Sequence, residues 1–282
     1  MLLNPLTLHT PKTTPEAARL FKELEDSKIL AGGTFLLNSL KLLKTKGTKT
    51  PKNILSLAKV GDLRGLSFDG QNLTIKAMTT ITELFESPLL TGNFEIIRTV
   101  CRNISTTPIR NMASFGGNLT CRYTWTEMPV TMIALDAQMH FMAPDGKASS
   151  MSAEDFFKNN ARSEYLFTHA VIAKDSQSRL VYRRVRKMSD VDQPLLTVCV
   201  KTTLKGNQWA QTRVVVNSGT AFAQRDYLLE EFLNAKSSSA NLGQEAMNHL
   251  TSTIYDTRST EYKQHMFRVS LRQAIEEICK SN

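Results

Sequence analysis

The chain has 282 residues, of which 41% are apolar and 22% are charged. This composition is typical of a globular protein and excludes the disordered, collagen-like and coiled-coil classes. The net charge is +9, and residues 1–60 hold ten Lys and Arg against four acidic residues. Since no aromatic residue is interleaved with the five lysines of residues 41–52, we expect an anionic cofactor or an acidic partner, and no nucleic acid.

The hydropathy pattern does not indicate a membrane protein, and the cysteines and histidines do not indicate a metalloprotein. No apolar stretch reaches the roughly 18 residues that a membrane-spanning helix requires. The N-terminus lacks a basic leader and a cleavage site, so we expect a cytoplasmic protein without membrane insertion. The four cysteines form no C-x-x-C pair and the five histidines are scattered. We therefore expect no metal site.

Residues 1–57 are predicted to form a small α/β unit. The Thr-Thr-Pro-Glu segment at residues 13–16 is typical of a helix start and precedes apolar residues at helical spacing. Residues 28–31 and 53–57 have the composition of short buried strands, and leucines at helical spacing mark a helix over residues 36–43.

Residues 58–163 continue with mixed elements. Thr80 and Glu83 have the spacing of a capping box, and Ser152 with Asp155 can cap a later helix. The remaining predicted segments are a strand at 73–77, a helix at 94–104, a glycine-bearing loop at 106–118 and a helix at 127–137.

The pattern changes from residue 164 onward. Three predicted strands come first, at residues 180–186, 195–204 and 208–217. Three predicted helices then close the chain, at residues 221–233, 242–254 and 259–279. Strands followed by helices favour a separate α+β domain.

The first of two glycine pairs follows the predicted strand at residues 28–31 and precedes a helix. Gly32 and Gly33 can adopt positive φ, so their N–H groups stay uncovered and can form an anion-binding nest. Thr34 adds a hydroxyl, and the N-terminus of the following helix adds its dipole. A pyrophosphate fits a nest of this kind. The alternative for a lone glycine pair is a plain tight turn without a ligand.

The second pair, Gly116 and Gly117, is flanked by two polar residues. The side chains of Ser114 and Asn118 can bond phosphate or ribityl oxygens. Two glycine nests in one α/β chain predict that each holds one side of a diphosphate.

Both glycine segments resemble a known pair of motifs. They read Leu-Ala-Gly-Gly-Thr at residues 30–34 and Ile-Arg-Asn-Met-Ala-Ser-Phe-Gly-Gly-Asn-Leu at residues 109–119. They are similar to the two FAD motifs of molybdenum hydroxylase flavoproteins, the medium subunits of xanthine dehydrogenase and carbon monoxide dehydrogenase type enzymes. Residues 132–137, 192–198 and 259–272 also resemble segments of this family, so the resemblance covers nearly the whole chain.

The resemblance implies an α+β fold with three parts. A two-part FAD-binding domain of the vanillyl-alcohol-oxidase type, with subdomains at residues 1–57 and 58–163, precedes a C-terminal domain at residues 164–282. The C-terminal domain is expected to hold a small antiparallel sheet and three helices. FAD is expected between the two subdomains. The residues that the resemblance assigns to FAD binding are Lys28, Ile29, Leu30, Ala31, Gly32, Gly33, Thr34, Phe35, Ile104, Ser114, Gly116, Gly117, Asn118, Glu127, Leu166 and Arg183.

The chain departs from the family pattern around both motifs. Phe35 stands where the family usually has a carboxylate, and Glu127 stands at an Asp position. Arg122, Tyr123 and Trp125 are bulky where small residues are expected. These side chains either stack on the isoalloxazine and narrow access to it, or face a partner subunit.

A basic residue near Tyr182 is also expected beside the flavin. Arg183 fits this position best, but the spacing to Asp192 is one residue longer than usual, so Arg184 competes. The alternative is that both arginines lie on a solvated strand edge, where their charge protects against aggregation.

The resemblance implies an FAD-dependent oxidoreductase subunit that transfers electrons and needs no catalytic acid or base. An iron–sulfur subunit would donate the electrons, a molybdenum-cofactor subunit would hydroxylate the substrate, and NAD or another small acceptor would receive the electrons. One alternative is a flavin-free scaffold subunit of the same kind of complex. A self-contained flavin reductase of the cell-wall type is a third hypothesis, which the predicted C-terminal domain disfavours.

Overall fold

Three sheets and the helices packed on them build the part of the chain that the structure describes. Arg122, the predicted domain start at residue 164 and the predicted helix start at Ser259 lie outside it. The computed structural model describes residues 3–121, 123–159, 165–189, 191–255 and 260–280.

The α+β composition follows from the element order. The helices are α1 (Thr14–Glu23), α2 (Leu36–Thr45), α3 (Ile81–Glu86), α4 (Glu95–Asn103), α5 (Thr107–Met112), α6 (Phe115–Thr120), α7 (Met128–Ala134), α8 (Ala153–Lys158), α9 (Tyr227–Asn234), α10 (Leu242–Ala246), α11 (Ser252–Tyr255) and α12 (Glu261–Lys280). The strands are β1 (Thr7–His9), β2 (Ser27–Leu30), β3 (Asn53–Ser56), β4 (Leu66–Phe68), β5 (Asn72–Lys76), β6 (Gln138–Met142), β7 (Ala148–Ser152), β8 (Leu166–Ala173), β9 (Ser178–Arg186), β10 (Pro194–Lys205), β11 (Gln208–Asn217) and β12 (Gln224–Arg225).

The N-terminal sheet is parallel, with the strand order β1-β3-β2. Its first helix begins as predicted, because the Thr13 hydroxyl accepts a hydrogen bond from the Glu16 amide at 3.3 Å. Strand β2 ends at Leu30, so the first glycine pair leaves the sheet at the carboxyl ends of its parallel strands. Ligands of open α/β sheets bind at this edge.

The middle sheet is antiparallel, with the order β4-β5-β8-β6-β7. Its central strand β8 pairs with β5 on one side and β6 on the other. This sheet therefore continues past residue 163, which the sequence analysis takes as the end of the second subdomain. We propose that this subdomain ends after Ala173, since removing β8 would divide the sheet and expose its apolar core.

The predicted loop at residues 106–118 is wrong, because two short helices occupy most of it. Pro108 lies in the first turn of α5, where its missing N–H costs nothing. Ser114 caps α6, and its hydroxyl accepts a hydrogen bond from the Gly117 amide at 3.1 Å. The capping box of Thr80 and Glu83 is confirmed at the start of α3.

The C-terminal sheet is antiparallel, with the order β12-β11-β10-β9. One face packs on α9, α10 and α12 around a valine-rich core, and the other face joins the core of the middle sheet. The predicted helix at residues 221–233 begins later, at Tyr227, because the Asp226 carboxylate caps it. The predicted helix at residues 242–254 is divided into α10 and α11. Within the described ranges, no helix has the length and hydropathy needed to cross a membrane.

Candidate cofactor site

The two glycine motifs lie against each other. A Cβ atom on Gly32 would overlap the backbone carbonyl of Met112, and one on Gly117 would lie 3.6 Å from the Ala31 Cβ. A Cβ on Gly116 would come within 2.9 Å of the Ala77 carbonyl oxygen. The absence of a Cβ on Gly32 therefore lets the two motifs meet, and its absence on Gly116 lets α6 approach Ala77.

A cleft of about 1220 Å³ opens where the motifs meet. Every FAD-binding candidate from the sequence analysis lines it except Leu30 and Arg183. The lining candidates are Lys28, Ile29, Ala31, Gly32, Gly33, Thr34, Phe35, Ile104, Ser114, Gly116, Gly117, Asn118, Glu127 and Leu166. The structure thus brings both motifs and their flanking residues to one place.

The first glycine pair has the geometry of an anion-binding nest. Gly33 has a φ of +72°, the left-handed conformation expected for it. In the described part of the chain, no hydrogen bond occupies the backbone N–H groups of Gly32, Gly33, Thr34 or Phe35. Successive free amides of this kind bind phosphate oxygens.

The prediction of a second amide nest is wrong. The Gly116 amide donates to the Ala77 carbonyl at 2.8 Å, and the Gly117 amide donates to the Ser114 hydroxyl. Neither glycine has positive φ, because both lie in the first turn of α6. The second motif offers a different polar group, the side-chain oxygen of Asn118, which is buried without a hydrogen-bond partner among the described residues.

Glu127 forms a buried polar cluster at one side of the cleft. Only 3% of the residue is exposed, and its carboxylate accepts hydrogen bonds from the Tyr182 hydroxyl and from Arg184 Nε, the latter at 3.0 Å. Burial raises the pKa of Glu127, and the bond from Tyr182 and the charge of Arg184 oppose this rise. Arg184 also donates to the Asp192 carbonyl. This cluster links the start of α7 to β9.

Neither arginine of this part of β9 lines the cleft, but Arg184 contacts two residues that do, Glu127 and Asp192. Neighbouring side chains of a strand point to opposite faces. Arg183 therefore turns to α12, where it pairs with Glu277, and it does not line the cleft. A contact of Arg183 or Arg184 with the flavin stays a prediction, since neither side chain lines the cleft.

Tyr123 and Trp125, two of the bulky residues after the second motif, lie close to Phe35 beside the first motif. The ring centroids of Tyr123 and Phe35 are 4.2 Å apart, and those of Tyr123 and Trp125 are 4.1 Å apart. All three rings line the cleft. Sequence reasoning identified these residues as unusual but could not predict their mutual contact.

Residues 191–194 also line the cleft, and sequence reasoning missed them as site residues. Residues 191–193 belong to the connection between β9 and β10, and Pro194 is the first residue of β10. In this connection the Asp192 carboxylate accepts hydrogen bonds from the amides of Lys187 and Met188. No motif marks this segment as a binding element. Its place in the site depends on how the C-terminal sheet packs.

The cleft fits a dinucleotide. Pockets for drug-sized ligands measure roughly 300–1,000 Å³, and this cleft is larger. Its first motif presents consecutive N–H donors to a diphosphate, and Asn118 presents a buried polar atom that lacks a partner among the described residues. Within those residues, no group of three or more His, Cys, Asp or Glu side chains is arranged to hold a metal ion.

Comparisons with known proteins agree with this geometry. A family model described as the FAD binding domain in molybdopterin dehydrogenase matches residues 4–174. The chain is 33% identical to the carbon monoxide dehydrogenase medium chain of Afipia carboxidovorans over 159 residues, which are 56% of this chain and 54% of that one. It is 29% identical to the medium chain of Hydrogenophaga pseudoflava over 150 residues, 53% of this chain and 50% of that one. The chain thus spans about half the length of these relatives.

Structural similarity to solved proteins extends over more of the chain than the sequence matches do. A solved structure of the carbon monoxide dehydrogenase of Hydrogenophaga pseudoflava superposes with a TM-score of 0.87 at 22% identity, over 98% of this chain and 97% of that chain. The superposition confirms the predicted mixed fold. Since the family model covers more than half of the sequence, the resemblance and the FAD assignment are confirmed, and this chain belongs to the family of the FAD binding domain in molybdopterin dehydrogenase.

Proposed function

We propose that this chain is the electron-transfer flavoprotein subunit of a molybdenum hydroxylase complex. In this proposal it accepts electrons from an iron–sulfur subunit and passes them to an external acceptor, such as NAD. The observation that carries the proposal is the cleft where an unpaired amide nest meets the second motif, in a chain of the FAD-binding family. The similar proteins are named medium chains, which supports a heteromeric complex.

The residues of the chain bind and orient the cofactor in this proposal. The amides of Gly33 and Thr34 hold the diphosphate, and Asn118 offers its side-chain amide to a polar group of the cofactor. Residues 191–194 cover one side of the cleft and reduce its access to water. When bound, FAD supplies the one- and two-electron chemistry, which the protein tunes through nearby charge and burial.

Purification of the full chain with its native partners tests the proposal. We expect a yellow complex that contains FAD, an iron–sulfur subunit and a molybdenum subunit. We also expect the flavin absorbance to bleach when the iron–sulfur clusters are reduced. Extraction and mass spectrometry identify the flavin. FMN as the sole flavin, or a colourless chain after addition of FAD, would contradict the proposal, and the colourless chain would favour the scaffold alternative.

A further inference from the structure

Phe35, Tyr123 and Trp125 form an aromatic cluster that connects the two glycine motifs. Tyr123 lies in the middle, at 4.2 Å from the Phe35 centroid and 4.1 Å from the Trp125 centroid. The outer two centroids, those of Phe35 and Trp125, are 6.3 Å apart. Phe35 directly follows the first motif, and the other two residues follow α6 of the second motif.

This cluster is not part of the hydrophobic core. Phe35 is 36% exposed, and neither Tyr123 nor Trp125 is buried. All three residues line the cleft, so part of their ring surface faces the space where the cofactor fits. Open ring faces beside a ligand cleft are suited to stacking on another flat ring.

We propose that this cluster is a stacking platform for an aromatic ring of FAD, with Tyr123 and Trp125 as residues that contact the cofactor. The proposal rests on the proposed function, because it requires FAD in the cleft. It extends that function by assigning a binding role to residues at which the chain departs from the family pattern.

The spacing of the rings defines how a flat ligand can bind. A ring held between two others needs about 7 Å between the outer rings, twice the contact distance of carbon atoms. The 4.1 Å and 4.2 Å separations leave no such slot beside Tyr123. A cofactor ring therefore stacks on an outer face of the cluster and extends it.

The contact of Tyr123 with Phe35 favours a role of Tyr123 and Trp125 in cofactor binding over a role as anchors for a partner subunit. Anchor residues of an interface pack into the partner and are exposed before the complex forms. Here the rings of Tyr123 and Trp125 already pack towards the first motif and line the cleft. The structure thus turns these side chains to the side on which the cofactor binds.

Time-resolved flavin fluorescence of the FAD-loaded full chain tests the proposal, because indole and phenol rings in contact with a flavin quench its emission. We expect Trp125→Leu to weaken FAD binding by about two- to tenfold, the range of one aromatic contact, and to lengthen the emission lifetime if the isoalloxazine is the stacked ring. Trp125→Phe should keep most of the affinity, with the same condition for the lifetime. Tyr262→Leu is the matched control, because Tyr262 is 58% exposed on α12 and should change neither quantity.

Competition with ADP shows which ring of FAD stacks. If the isoalloxazine stacks, Trp125→Leu changes the flavin lifetime and leaves ADP binding intact. If the adenine stacks, ADP binding weakens and the flavin lifetime is unchanged. Either result supports the platform. Unchanged FAD affinity, ADP affinity and lifetime in the Leu variants of both Tyr123 and Trp125 would overturn it, and loss of the native complex in the same variants would make them interface anchors. Absence of FAD from the unchanged protein would instead refute the proposed function.

Discussion

At the scale of single residues, the glycines of the two motifs satisfy different physical requirements. Gly33 is needed for its backbone conformation, because its φ of +72° is unfavourable for residues with a Cβ. Gly32 and Gly116 are needed for close approach, because a Cβ would collide with the backbone of Met112 or Ala77. The glycines of such pairs are therefore required for two different reasons, positive φ and close backbone contact.

Gly33→Val should give a folded protein that has lost FAD. A β-branched residue resists positive φ at a cost of about 1–3 kcal/mol and would cover the nest. Gly47→Val is the matched control, because Gly47 has a φ of +65° with no other atom near its Cβ position. We expect similar destabilisation in both variants and loss of flavin in the first alone, measured by circular dichroism and flavin absorbance. Normal flavin content in Gly33→Val would show that the pair is only a turn.

Gly32→Ala should separate the two motifs. The added methyl group overlaps the Met112 carbonyl, and overpacking of this kind costs about 1–3 kcal/mol. Gly61→Ala adds the same group where no atom lies within 4 Å and φ is not positive. Urea unfolding should show a lower midpoint for Gly32→Ala and little change for Gly61→Ala. Equal midpoints would mean that the motifs do not need this close contact.

At the scale of elements, the two faces of strand β9 contact different parts of the molecule. Tyr182 and Arg184 lie on the face that meets Glu127 before α7, and Arg183 lies on the face that meets α12. The Arg184 side chain is 8% exposed and that of Arg183 is 38% exposed. Two adjacent arginines therefore make one buried and one surface ion pair.

Arg184→Met should destabilise the protein far more than Arg183→Met. Removing Arg184 leaves the buried Glu127 carboxylate without its cation, which costs about 3–5 kcal/mol. The surface pair of Arg183 with Glu277 contributes about 0–1 kcal/mol. The free energy of unfolding in urea measures both effects. A larger loss for Arg183→Met would contradict the buried pair of Arg184 with Glu127 as the stronger contribution to stability.

At the scale of the whole molecule, a short polar junction connects the middle sheet to the C-terminal sheet. Asn93 donates its side-chain amide to the Ala173 carbonyl at 3.0 Å and accepts the Asp175 amide at 3.1 Å. The Asp175 carboxylate pairs with Lys201 of β10 at 2.9 Å. These contacts link the end of β8 to β10, beside the hydrophobic core that the two sheets share.

Asp175 should make the stability of the protein sensitive to acid. Burial alone would raise the pKa of Asp175, but Lys201 and the amide of Gln177 lower it to about 2 from an ordinary value of 3.8. Because the folded pKa is lower than the unfolded one, the stabilisation is present above pH 3.8 and is lost as the pH falls towards about 2. Asp175→Asn should therefore be less stable at neutral pH and lack this acid-dependent loss.

Urea unfolding between about pH 5 and pH 2 measures the effect, since the window follows from the linkage of protonation to folding. Lys201→Met is the companion variant, because it removes the main cation and should also reduce the acid dependence. If the free energy of unfolding of Asp175→Asn changes with pH as it does in the unchanged protein, Asp175 is not the source of the acid sensitivity.

The sequence by itself determined the features that depend on neighbouring residues. The cap at Thr13, the capping box at Thr80 and the positive φ of Gly33 follow from short-range hydrogen bonding and sterics, so their residue types reveal them. The two motifs also sufficed to predict the family and the cofactor. The short helices α5 and α6 were missed because a glycine pair usually marks a loop, whereas here Ser114 caps a helix around it.

The tertiary structure alone decided which distant segments meet. The contact of Gly32 with Met112, the place of β8 at the centre of the middle sheet and the bond of Arg184 to Glu127 are long-range relations. Strand alternation allows either arginine to face Glu127 until the pairing of β9 sets the orientation of the strand. Local patterns carry no information on such pairings, because burial of the shared core between sheets selects them.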